Sequence, residues 1–402
     1  MEKLLVFVFS FAAILQLAFG VGALKPNYIT EEEFAFARKN PIRVNNFTAP
    51  LELPPYGTEG QVPHPRPGFG PRFWTNGQVP YTLDPTFTDS QREQVAIALN
   101  TYHEATCIRF IPKEGHHTSW VDILHDPTVC GVAHVCMNNG AQFAKFGGTC
   151  VNPGTMVHEL GHTLCMGHEQ TRLDRDNWIG FNTAICQPHG IDNPDFDRGL
   201  HKLYDYVSIE HYEGECYSGC FQPKQPGVTK CGSGGPLAVL DIEVLNEMYG
   251  CNSGCQGYRY VNKNNNPSSL VQAGTEFNGE PLYSCRAYHQ GDIIPGKYHQ
   301  GRGECHVAWG GGEHSKFDNI EVLTNPNGAN FIWVNAVNLP SNAVRGGRTN
   351  ERETIYVIQC QLQSGDQTVW MPGKFIPSTG AYTSYGGQEI RCAAVQFLAC
   401  NN

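Results

Sequence analysis

The first 106 residues of this 402-residue chain contain no cysteine, and the first 83 contain no aspartate. After Phe19 no apolar run approaches the roughly 20 residues that a membrane-spanning helix needs, so no membrane span is expected. Basic residues are scarce: 28 Lys and Arg against 38 Asp and Glu give a formal net charge of -10. With no basic stripe to offset that charge, nucleic acid is excluded as a partner. Charged residues make up only 16% of the chain, whereas glycine (44) and proline (26) are abundant. That balance suits a turn-rich extracellular protein better than a disordered one, and the length predicts two or three domains.

What is present begins with Met1-Glu2-Lys3 and an apolar run from Leu4 to Phe19, broken by Ser10 and Gln16. Small residues at Ala18, Gly20 and Ala23 offer cleavage points, and the stretch reads as a signal peptide over residues 1–20. Sixteen cysteines, all at or after Cys107, are then disulfides by default in an oxidising, extracellular setting. From Leu24 to about Arg66 the sequence is Pro-rich and polar, with no run expected to bury a face; it carries one glycosylation triplet, Asn46-Phe47-Thr48.

Patterned sequence begins at Phe73-Trp74. Thr88-Asp89-Ser90-Gln91 is a capping box, followed by Val95, Leu99 and Tyr102 on one helical face. Ser119 to His125 alternates like a strand. A second helix starts after Gly154, its core side marked by Val157, Leu160 and Leu164. Beyond Cys255 the chain becomes β-rich and repeats itself. Tyr260-Val261-Asn262 returns as Trp333-Val334-Asn335, Pro267-Ser268 as Pro340-Ser341, and Leu282-Tyr283 as Ile355-Tyr356, all at an offset of 73. Pro295-Gly296-Lys297 returns as Pro372-Gly373-Lys374, and Gly310-Gly311 with Glu313 as Gly386-Gly387 with Glu389, at 76–77. Two such copies are too few for a solenoid and are expected to pair into one all-β, sandwich-like domain.

The chemistry is concentrated in His158-Glu159-Leu160-Gly161-His162. Two imidazoles four residues apart share a helix face and can reach one zinc ion. Glu159 lies beside them as a base for a water that zinc makes acidic, and His168 supplies a third nitrogen. A bare His-Glu-x-x-His is moderately specific; the third histidine, in a cysteine-rich secreted chain, sharpens it.

From His158 to Asp176 the sequence HELGHTLCMGHEQTRLDRD resembles the signature of the astacin family of zinc metalloendopeptidases, and the likeness extends from Trp74 to Cys251. The resemblance implies an α+β, two-lobed zincin (metzincin) fold and one Zn²⁺ per chain on His158, His162 and His168. It further implies Glu159 as catalytic base, disulfides Cys107–Cys251 and Cys130–Cys150, and Glu169 as the residue that receives the new N-terminus of an activated zymogen. Tyr204 to Tyr212 is similar to the segment holding the family's methionine turn and catalytic tyrosine, which makes Tyr212 the oxyanion stabiliser. Three departures stand out. Glu210 replaces the family's methionine, Cys165 replaces a glycine, and the pro-segment lacks the aspartate that resembling precursors place on zinc, leaving Glu59 as the best substitute. A carboxylate at 210 is costly to bury without a partner. Cys136, an extra cysteine near Cys130, is expected to pair with Cys165.

The C-terminal copies resemble DM-nine repeats through Leu282-Tyr283-x-Cys285-Arg286-Ala287, Gly291-Asp292-x-x-Pro295-Gly296-Lys297 and Trp309-Gly310-Gly311-Gly312-Glu313-His314. Copy two departs at the arginine position, read here as Gln361-Leu362. Some members of that family recognise mannose-type glycans. The resemblance implies sugar contacts from the lysine of a Pro-Gly-Lys turn and a polar residue of the first hairpin: Lys297 with Glu276 or Asn278, and Lys374 in copy two.

The expected organisation is thus a signal peptide (1–20), a pro-segment (21–66), an astacin-like protease domain (67–251) and a separate β-domain (256–402). The expected function is a secreted zinc endopeptidase acting on protein substrates, with a mannose-type glycan as a further ligand. A second reading, motivated by Glu210 and Cys165, is a catalytically weak or inactive astacin-like protein acting as a mannose-type glycan-recognition protein.

Overall fold

The computed structural model describes residues 25–42, 72–182, 202–212, 214–215, 219, 221–232, 234–252 and 256–401. The signal peptide, Asn46, Glu59 and the junction at residue 66 lie outside the described residues.

The upper lobe is a five-stranded sheet in the order β2-β1-β3-β5-β4. It is built from β1 (Gln78–Leu83), β2 (Arg109–Pro112), β3 (Ser119–His125), β4 (Gly131–Ala133) and β5 (Gly140–Phe146). All pairings are parallel except that of β4, which lies antiparallel on the edge. Two helices pack on this sheet, α2 (Asp89–Ala105) and α3 (Pro153–Thr163), leaving α1 for an element nearer the N-terminus. Thr88 starts α2 through reciprocal bonds with Gln91, and Val95, Leu99 and Tyr102 are buried. Asn152 caps α3 by accepting from the Thr155 amide at 3.0 Å, with Pro153 in its first turn.

The segment expected to bury nothing does otherwise. α1 (Glu31–Lys39) carries its own capping box between Thr30 and Glu33, with acidic residues in its first turn and basic ones in its last. Ile29 and Ala37 enter the upper-lobe core. The Leu83 amide donates to Asn27 O and the Ile29 amide to the Tyr81 hydroxyl. Arg92 of α2 is buried and donates to Glu33, Pro26 O and Tyr28 O. The partners lie some 60 residues away, so local apolar periodicity gave no sign of this docking.

Below α3 the lower lobe holds β6 (Ile179–Phe181), β7 (Gly214–Glu215), β8 (Phe221–Pro223), β9 (Lys230–Cys231) and α4 (Val239–Met248). Cys107 is joined to Cys251 and Cys130 to Cys150.

The C-terminal region is all-β. Copy one forms β10 (Arg259–Asn262), β11 (Gln272–Thr275), β12 (Pro281–His289), β13 (Asp292–His299), β14 (Glu304–Trp309), β15 (Gly312–Lys316) and β16 (Ile320–Thr324). Copy two repeats them as β17 (Phe331–Asn335), β18 (Arg345–Arg348), β19 (Thr354–Ser364), β20 (Gln367–Ile376), β21 (Gly380–Tyr385), β22 (Gln388–Arg391) and β23 (Val395–Cys400). The copies meet head to head at β15 and β22, and β18 pairs with both β13 and β19. That double pairing closes eight strands, β13-β14-β15-β22-β21-β20-β19-β18, into a ring.

Two sequence expectations are corrected here. Pro295-Gly296-Lys297 and Pro372-Gly373-Lys374 are not turns but the middles of β13 and β20. Glycine is required because a Cβ at Gly296 would lie 2.1 Å from His306 O on the next strand. The copy-two counterpart of Arg286 is Gln359: Arg286 faces Pro295 and Glu321 in register, and Gln359 faces Pro372 and Gln396.

The β-region shares a core with the lower lobe. Trp178, Tyr204, Tyr206, Val239 and Leu240 pack with Tyr288 and Ile293. Arg286, fully buried, donates to both carboxylate oxygens of Glu243 on α4 at 2.8 and 2.7 Å, and to Glu321. Lys202 donates to Tyr260 O at 2.6 Å and pairs with Glu247.

Candidate metal centre

Helix α3 puts His158 and His162 one turn apart, and the chain must then reverse to bring His168 back. The reversal runs through Cys165, whose φ of +73° lies in the left-handed region. Cys165 is joined to Cys136, and the Cys136 amide donates to His162 O at 2.8 Å. The lost glycine is thus matched by a covalent tie at the end of the helix. Trp74 adds a bond from its indole N–H to Thr163 O at 2.9 Å.

The three imidazoles converge, with ring centroids 4.6, 4.7 and 5.3 Å apart. One donor atom each from His158, His162, His168 and Glu210 lies within 4.8 Å of the others. Nδ1 of His158 faces Ile209 O and Nδ1 of His162 faces Met166 O, both at 2.8 Å. A carbonyl can only accept, so each Nδ1 carries the proton and Nε2 is the ligating nitrogen. Nitrogen donors in this number, with tautomers set by carbonyls, fit Zn²⁺.

Glu159 is buried beside the histidines and fills the space over Gly131, where a Cβ would come 2.7 Å from its Oε1. The Tyr212 ring lies 4.6 Å from that of His168, and its amide donates to Gln170 Oε1. The segment before it is held by Asp241 of α4, which accepts from Ser208 Oγ at 2.6 Å and the Ile209 amide at 2.9 Å. Burial, with Asp205 nearby, pushes the Asp241 carboxyl up. Sequence reasoning did not single out Asp241; its signal is an acid in the first turn of α4, where it accepts from the Ala238 amide. Glu169 accepts from Arg172 and from the Asp205 amide, each at 2.8 Å. Burial raises its pKa, and Arg172 opposes that.

The C-terminal candidates divide. Lys297 is buried against Glu276 at 3.4 Å and Glu313 at 3.0 Å. Asn278 turns back to accept from the Glu280 amide. Lys374 is buried elsewhere, against Glu389 at 3.0 Å and Ala308 O at 2.6 Å. The copy-two counterpart of Glu276 is Thr349, matched by the bonds Glu276 N to Glu280 O and Thr349 N to Glu353 O.

The sequence profile of Astacin (Peptidase family M12A) matches residues 70–250, and that of the DM9 repeat matches residues 204–302 and 276–392. Zinc metalloproteinase nas-4 of Caenorhabditis elegans is 32% identical over 192 residues, 45% of this chain and 60% of that protein. Its relative nas-7 is 30% identical over 235 residues, 56% of this chain and 59% of that protein. The chain therefore spans about 60% of the length of these two relatives. Among solved structures, high choriolytic enzyme 1, a hatching enzyme zinc-protease from the medaka Oryzias latipes, is 25% identical with a TM-score of 0.41, covering 45% of this chain and 94% of that one. The chain carries an astacin domain at residues 70–250 and DM9 repeats at residues 204–392, the two matches overlapping over 204–250.

Proposed function

With an astacin domain joined to DM9 repeats, we propose that this chain is a secreted zinc endopeptidase that hydrolyses internal peptide bonds of protein substrates. The observation that carries the reading is the convergence of His158, His162 and His168 beside a buried Glu159. The three histidines would hold the ion, His158 and His162 through Nε2. Bound there, zinc acts as a Lewis acid and lowers the pKa of water from about 15.7 to about 7. Glu159 takes a proton from the attacking water and returns it to the leaving amine. The Tyr212 hydroxyl donates to the developing oxyanion. Strand β4 ends the sheet, so an extended peptide can add alongside it, and Gly131 on that strand brings the peptide next to Glu159.

Disulfides Cys107–Cys251 and Cys130–Cys150 agree with an oxidising, extracellular compartment. Residues 1–20 are taken as signal peptide, 21–66 as pro-segment, 67–251 as protease and 256–402 as the repeat region. The test is cleavage of a quenched internal peptide by the mature chain, abolished by a chelator and restored by zinc. Cleavage that a chelator leaves untouched sinks the reading.

A second activity, binding of a mannose-type glycan, is favoured at copy one. There Glu276 and Lys297 adjoin Phe277 and Tyr385, whose rings pack edge to face at 5.4 Å. Aromatic faces beside charged donors and acceptors suit a sugar. Thr349 breaks the pattern in copy two, so one site per chain is expected and Lys374 is excluded from it. A glycan array probed with the full chain and with Glu276→Ala tests this; no binding by the full chain defeats it.

A further inference from the structure

Glu210 is 1% exposed and lies under the metal-ligating histidines. Its Oε2 is 3.3 Å from Nδ1 of His158 and 3.4 Å from Nδ1 of His162. One carboxylate oxygen therefore sits beside both protonated nitrogens, while the carbonyls of Ile209 and Met166 take the direct bonds at 2.8 Å. The place is built for it. Gly161, between the two histidines on α3, lacks the Cβ that would come 2.1 Å from Glu210 Oε1. The Glu210 amide donates to Ser208 Oγ at 3.0 Å, and its carbonyl accepts from the Glu169 amide at 3.1 Å, so the backbone on both sides is fixed.

We infer that Glu210 is a positioning residue for zinc: a single outer carboxylate shared by two ligand histidines, which tightens the metal by making both imidazoles stronger donors. Carboxylates behind ligand histidines act in this way in metal sites generally, and removing one costs about 10–100-fold in affinity. The charge count points the same way. A dication on three neutral imidazoles is a large uncompensated charge in a buried site. Glu210 places a carboxylate directly beside two of those imidazoles.

The inference rests on the zinc assignment above, and the experiment separates the two. Zinc affinity of the full chain is measured by competition with a chromophoric chelator for wild type, Glu210→Gln and Glu210→Met, together with the melting temperature of each metal-free protein. We expect both variants to bind zinc 10–100-fold more weakly while their metal-free forms melt no lower than wild type. Affinity within twofold of wild type in either folded variant overturns the role of Glu210. A wild-type chain that takes up no zinc overturns the metal assignment itself. The cobalt-substituted protein supplies the second readout: the visible bands should keep their positions in Glu210→Gln, and a shift to a new coordination spectrum would make Glu210 a direct ligand and overturn the outer placement.

Discussion

Arg348 of the second repeat and Asp205 of the lower lobe meet at 2.7 Å, each with its side chain 2% exposed. Asp205 also gives its amide to Glu169, the neighbour of His168. The repeats therefore reach, through two residues, the segment that carries the third histidine. A buried ion pair contributes little over an apolar pair of the same shape, but losing one partner strands the other. Arg348→Ala should cost about 3–5 kcal/mol in denaturant unfolding, and Arg348→Ala with Asp205→Ala should recover part of that loss. Equal stabilities for wild type and the single variant would show that the pair is inert.

Truncation follows the same logic at larger scale. Cutting after residue 255 removes Tyr288, Ile293 and Arg286 from a core that Trp178, Tyr204 and Glu243 keep. The shortened chain should fail to melt cooperatively and should be digested in a brief trypsin pulse that spares the full chain. Survival of a compact fragment would show that the protease region folds without the repeats.

At the metal centre, Glu159→Gln should keep zinc and lose about 10²–10⁴ in turnover. His162→Ala should lose zinc by elemental analysis while the β-region stays folded. Full zinc content in His162→Ala would move the metal elsewhere.

The Cys136–Cys165 bond joins residues 29 apart in sequence and should contribute roughly 2–4 kcal/mol. Both cysteines sit at positive φ, +62° and +73°. Changing Cys165 to glycine with Cys136→Ser should therefore lose less stability than changing both to serine, because glycine suits that backbone. Identical losses in the two double variants would remove the backbone part of the argument.

His103 supplies a pH test. Its Nε2 accepts the Phe110 amide at 2.9 Å, and burial, with Arg109 adding to it, pulls its pKa from 6.5 down to about 4. The unfolded chain thus binds the proton more readily. Stability should be full above pH 6.5 and fall as pH drops from there toward 4, by at most about 3 kcal/mol. His103→Gln should flatten that part of the urea-midpoint profile; parallel profiles would assign the slope to other groups.

The elements legible in the sequence were those with local signatures. Thr88 and Gln91 mark a helix start wherever they occur, Val121 and Ile123 alternate as a half-buried strand, and the histidine spacing implies its own geometry. What stayed hidden depends on partners far along the chain. Ile29 looks like one apolar residue in a polar stretch until Tyr81 and Arg92 are beside it. The arginine position of copy two is read as Gln361-Leu362 until strand register is known: Arg286 pairs with Glu243 on α4 and with Glu321, and its true counterpart, Gln359, pairs with Gln396. Pro-Gly-Lys reads as a turn in any sequence; only the carbonyl of His306 shows it to be a strand.

Two carboxylates reach across the seam between the copies. Glu313 takes the amide of Gly387 and Glu389 takes that of Gly311, with Lys297 and Lys374 behind the two carboxylates. Each copy thus completes the other, and the ring is full when both are in place. Arrays of stacked repeats lengthen by adding units to an open end, and lose units as easily. This one has no open end at the seam: a third copy would find no partner there, and a lone copy would leave its glycine turn and its lysine–glutamate pair half built. At this seam the two copies are joined by reciprocal contacts, so neither half of the junction is complete without the other.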